Sequence, residues 1–130
     1  MTESTIIEAN DSNWDELLEK QDKPLVVMFY LPACTHCKEI EPYFKEYSKE
    51  FKDSCRFAMV NGLFAPRTAM HYGVKGTPTF KFFCRGQPIK EQVGAVYPSI
   101  LKKSIEELIN NGEECVLKST PLPSDISPYE

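Results

Sequence analysis

Residues 25–30 read LVVMFY, six apolar side chains in succession with no polar position among them. A strand with one face in water alternates apolar and polar residues, whereas a strand covered on both faces does not. This run predicts a central strand with helices packed on either side, which limits the chain to layered α/β architectures. The flanking segments agree. Upstream, Ser12 to Asp15 resembles a capping box, and Trp14, Leu17 and Leu18 recur at helical spacing until Lys23-Pro24 ends a first helix. Downstream, Ile40, Tyr43, Phe44, Tyr47 and Phe51 mark one long amphipathic helix, with Pro42 inside it expected to kink it. Arg56 to Val60 reads as a strand, and Pro66 to Tyr72 as a short helix closed by Gly73. Thr79 to Cys84 and Ile89 to Val93 read as a hairpin across RGQP, and Ser99 to Asn110 as a last helix. The sum is a central mixed β-sheet sandwiched between α-helices, with antiparallel strands at one side.

A chain of 130 residues with 42% apolar side chains holds one domain with one adequate core. We place that domain at residues 1–118. The segment 119–130, STPLPSDISPYE, is rich in Pro and Ser and too poor in apolar surface to pack, so a disordered tail is expected. The net charge of −4, with no block of Lys or Arg, argues against nucleic acid or an anionic membrane as partner. No apolar run has the length of a membrane span. The polar, acidic start lacks the basic-then-apolar order of a signal peptide, so a cytoplasmic, monomeric protein is expected. In such a reducing compartment five cysteines read as catalytic, metal-binding or buried thiols.

Two of them, Cys34 and Cys37, stand two residues apart directly after the apolar run. Chance alone supplies a Cys-x-x-Cys in about one of seven such chains. Position adds what spacing lacks, because this pair falls where a buried strand ends and an amphipathic helix begins. At a helix N-terminus the first N–H groups have no partner and the dipole is positive, so a Cys34 thiolate is stabilised. Cysteines in such settings fall to about 3.5 to 7.5. Cys37, one turn on, shares nearly the same face, can close a disulfide with Cys34, and lies deeper, so it is expected to act second. An imidazole or imidazolium at His36 further favours the thiolate and makes the disulfide more oxidising.

A zinc site would need two more ligands in a compatible arrangement, but Cys55, Cys84, Cys115 and His71 are scattered singly. No metal and no cofactor is expected. Cys55 and Cys84 read as small buried residues in or beside strands, Cys115 as an accessible thiol before the tail.

From Asn13 to Ile109 the chain resembles the thioredoxin family. The resemblance rests on KPLVVMFY before the cysteine pair, CTHCKEIEP with its Pro42, YGVKGTPTF, and VGA at Val93 to Ala95. It implies the thioredoxin fold and a thiol–disulfide oxidoreductase. Pro78 would be a cis proline packed against the disulfide, and the backbone around Thr77 would pair with an extended substrate strand. Gly94 would leave space for that substrate. The partners implied are protein or peptide disulfides and a thiol or disulfide reductase as electron donor. Departures are as informative. Ala33 stands where the family usually has Trp, and Thr35-His36 where it has Gly-Pro. Met28 replaces a buried Asp beneath the second cysteine, and Met59 replaces that Asp's partner Lys. Cys37 therefore lacks the family's proton acceptor, and slow resolution of mixed disulfides is expected. A thioredoxin-fold peptide-binding module with little redox turnover is the alternative.

Overall fold

The computed structural model describes residues 5–19, 23–94 and 96–110. The central apolar run forms β2 (Leu25–Tyr30), and its two faces go to two separate apolar layers. Val26 and Met28 enter one layer, while Leu25, Val27 and Phe29 enter the other. Both faces are covered, so no position of the run is left for a polar side chain.

Among the described residues the elements run in the order β1 (Ile6–Ala9), α1 (Trp14–Glu19), β2, α2 (Thr35–Glu50), β3 (Arg56–Asn61), α3 (Pro66–His71), β4 (Thr79–Cys84), β5 (Gln87–Val93) and α4 (Pro98–Asn110). The strands form one sheet in the order β1-β3-β2-β4-β5. β1, β3 and β2 run parallel, and β4 and β5 are antiparallel. α2 and α4 contribute Ile40, Phe44, Tyr47, Leu101 and Ile105 to the layer that holds Met28. α1 contributes Trp14 and Leu17 to the opposite layer, where Ala69 and Tyr72 also pack. This is the expected mixed sheet between helices.

The elements match the sequence expectations with three differences. β5 begins at Gln87, so that Gln87 and Pro88 of the expected RGQP turn pair with Cys84 and Phe83. β1 was not foreseen: Ile6–Ala9 lies in the segment read as a polar start, and it is a strand because it pairs with β3 from Ile6↔Phe57 to Ala9↔Val60. α1 begins at Trp14, two residues after Ser12, with the Asn13 carbonyl accepting the Leu17 N–H. Pro42 lies inside α2, which continues to Glu50. Gly73 follows α3 with φ of +67°, the left-handed turn expected of it. Lys81 is buried in β4, where its ammonium reaches Glu91 at 3.0 Å, directly opposite on β5. Among the described residues no helix is long and apolar enough to cross a membrane. The tail at 119–130, Cys115 and the boundary at 118 lie outside the described residues.

The strand directions decide where chemistry can sit. The last residue of β2, Tyr30, lies opposite Asn61 at the end of β3, and Phe29 lies opposite Thr79 at the start of β4. Thr79 in turn lies opposite Val93 at the end of β5. The segments 31–34, 62–65 and 76–78 thus meet at one edge of the sheet, where β5 also ends at Val93.

Candidate functional site

Cys34 lies at that edge as the N-cap of α2, with extended φ and ψ of −80° and 116°. Its amide donates to the Leu31 carbonyl at 3.1 Å, and its carbonyl accepts the Lys38 N–H at 3.2 Å, starting the helix. Cap geometry turns its side chain back over the first turn, so that its Sγ accepts the Cys37 N–H at 3.1 Å. This bond takes one of the orphan donors of the helix onto a sulfur.

The two thiols experience opposite environments. Burial pushes the Cys34 thiol up, but hydrogen bonds outweigh it: from the Cys37 and Thr77 side chains and from the Cys37 and His36 backbone N–H groups. The net result lies below the ordinary value. Cys37 is raised to about 11, chiefly by burial and further by its hydrogen bond to Cys34, with the Leu31 backbone and the Thr77 side chain opposing. Met28 and Met59, paired across β2 and β3, belong to the same apolar cluster as Cys37. Both methionines are buried, and desolvation is the largest cause acting on Cys37.

The residues expected at the site converge unequally. Thr77-Pro78 is a cis peptide bond, and the Pro78 carbonyl accepts the Gly94 N–H at 2.8 Å. That bond fastens the end of β5 to the loop before β4. Gly94 has φ of +90°, and a Cβ added there would meet nothing within 4 Å, so the space above it is open. Ala33 is exposed next to Cys34. The His36 ring does not face the sulfur through any hydrogen bond. Its Nδ1 lies 3.2 Å from the Glu39 carboxylate, both side chains being well exposed, while its backbone N–H serves Cys34.

Sequence reasoning missed three contributors. The Thr77 side chain acts to lower both thiols, where the sequence pointed only to its backbone. Leu63 and Phe64, 64% and 77% exposed, follow β3 beside Leu31, held there by the Gly62 N–H on the Tyr30 carbonyl at 2.9 Å. Two adjacent apolar residues in a loop were the available signal. The third is a groove next to His36, between α2 and the segment entering α4.

Among the remaining cysteines, Cys55 is a buried thiol, pushed up to about 12 by burial, and is inert as a nucleophile at neutral pH. Cys84 is buried as expected, but it is disulfide-bonded rather than a free thiol. Among the described residues no three His, Cys, Asp or Glu side chains converge as metal ligands.

Comparison with known proteins places this geometry. Residues 5–107 match the family model described as Thioredoxin. The chain is similar to a Thioredoxin M-type, chloroplastic, of Brassica napus, 35% identical over 100 residues that cover 77% of this chain and 56% of that protein. It is equally similar to its counterpart in Pisum sativum, 35% identical over 100 residues, 77% of this chain and 58% of that one. The chain thus spans a little over half the length of these curated relatives. Among solved structures, the Malassezia sympodialis thioredoxin Mala s 13 superposes with a TM-score of 0.73 at 29% identity, covering 82% of this chain and 93% of that one.

Proposed function

The chain belongs to the thioredoxin family, a family of thiol–disulfide oxidoreductases, and on that premise we propose that it exchanges a Cys34–Cys37 dithiol with disulfides of protein or peptide substrates. The Cys34 thiolate attacks one sulfur of the substrate disulfide, forming a mixed disulfide and releasing the other substrate sulfur as a thiolate that takes up a proton. Cys37 then loses its proton and attacks Cys34 Sγ, expelling the second substrate thiolate. The Cys34–Cys37 disulfide that results has given two electrons to the substrate, and a separate thiol or disulfide reductase returns them.

Thr77 and the first-turn N–H groups stabilise the Cys34 thiolate, and His36 tunes it through its backbone N–H. Pro78 and Gly94 shape the place where an extended substrate lies against the edge, with Ala33 exposed beside it. The observation that carries this reading is the 3.1 Å bond from the Cys37 N–H to Cys34 Sγ, which sets the resolving residue against the nucleophile. Redox titration of the pair, with trapping of substrates on a Cys37→Ser variant, tests it. A pair that forms no disulfide across the range of cellular glutathione potentials overturns it.

The raised Cys37 thiol, at about 11, favours one competing reading, a peptide-binding module that turns over little. Replacing Cys34 by Ser separates the two: an enzyme loses disulfide exchange, whereas a binding module retains its affinity.

A further inference from the structure

The groove beside His36 has a volume of about 550 Å³, room for a long side chain with the backbone around it. Its base is apolar: Ile40 is buried, and Val96 and Pro98 are half-buried. Two tyrosines stand over this base with exposed rings, Tyr43 at 44% and Tyr97 at 78%. At the end formed by the first turn of α2 lies the Glu39 carboxylate, whose side-chain contact is His36 Nδ1 at 3.2 Å. Among the described residues lining the groove there is no lysine or arginine.

We propose that this groove receives a lysine or arginine side chain of the substrate polypeptide, close in sequence to the cysteine that Cys34 attacks. The assignment rests on Cys34 being the nucleophile, and it narrows the substrate class to disulfides flanked by basic residues. Lys and Arg combine an apolar stem with a charged head, which is the order of surfaces found here. The stem lies along Ile40, Val96 and Pro98. The head meets the faces of Tyr43 and Tyr97 and the Glu39 carboxylate, a cation–π and charge-assisted pairing in one place. An acidic side chain would meet like charge at Glu39. A purely apolar one would fill the base but make no charge-assisted contact with Glu39 and no cation–π contact with the tyrosines.

Three synthetic peptide disulfides, identical except for Arg, norleucine or Glu beside the cysteine, test the assignment on the Cys37→Ser variant. Mixed-disulfide formation is expected to be about tenfold faster with Arg than with Glu, the ratio shrinking in high salt. Glu39→Gln should remove most of the ratio and Glu39→Lys should invert it, and Tyr97→Ala should reduce it. Each ratio is internal to one variant, so a general change in Cys34 reactivity cancels. In parallel, cysteine-free peptides of the same three sequences are titrated against a Cys34→Ser, Cys37→Ser variant, with the Tyr43 and Tyr97 ring resonances as readout. Preferential binding of the Arg peptide there upholds the groove even where no mixed disulfide forms, an outcome that would instead remove the catalytic reading. Equal rates and equal binding for the three peptides, or a preference untouched in Glu39→Gln, overturn the assignment.

Discussion

At the scale of single residues, the site consists of two cysteines that differ in readiness. Cys34 is held below the ordinary thiol value, while Cys37 is raised to about 11. At pH 7 about one Cys37 in ten thousand is a thiolate. Burial still raises Cys37 when Cys34 is in a mixed disulfide, so single-turnover release of substrate should keep accelerating as pH rises above 7, whereas attack by Cys34 levels off at lower pH. Stopped-flow measurement of the two steps checks this, and equal pH profiles would contradict it. Met28 is the position from which an acid could relieve Cys37. Met28→Asp should speed resolution at pH 7 by about tenfold or more. It should also cost a few kcal/mol of stability, read by urea denaturation, because a carboxylate then enters an apolar cluster. Cys34, Cys37 and the missing acid were legible because strand, pair and helix are contiguous in the chain. The Thr77 hydroxyl and the Tyr43–Tyr97 groove were not, since each joins residues far apart in sequence whose side chains carry no pattern of their own.

At the scale of elements, the burial of both faces of β2 organises everything else. α2 covers one face with Phe44, fully buried, its ring 5.5 Å from that of Phe57 and 5.8 Å from that of Phe80. Phe44→Ala should destabilise the protein by about 3 to 5 kcal/mol, measured as a lower urea midpoint with an unchanged slope. The elements that were readable share one property: their signal lies within the element. β2 is a continuous apolar run, β4 carries three phenylalanines in six residues, α2 and α4 carry helical periodicity, and Gly73 marks the end of α3. β1 shows the converse. Its four residues, IIEA, are too short for a pattern and become a strand through the parallel ladder with β3. The start of α1 shifted for a related reason, because Asn10 and Asn13 bond one another there and fix the turn ahead of Trp14.

At the scale of the whole molecule, the buried thiols tie stability to pH. Cys37 and Cys55 are raised to about 11 and about 12 from an ordinary 9.0. Between those values the unfolded chain releases protons that the folded chain retains, so stability falls as pH rises from about 9 to 12. Cys34 acts in the opposite sense, since a lowered value contributes stability that is present at high pH and lost as pH falls through it. Urea denaturation of the reduced protein at pH 7.5, 9 and 10.5 should show the alkaline decline. Cys55→Val should make it shallower, and a decline of the same steepness in that variant would refute the role given to Cys55. The burial of Cys37 in the first turn of α2 has one more consequence, this time in time rather than energy. On the proposed chemistry a client held on Cys34 would be released only when Cys37 ionises, which would put a clock on each covalent complex. Rapid alkylation of the wild-type chain at neutral pH should therefore recover clients still attached, and lifting the pH before the quench should empty it.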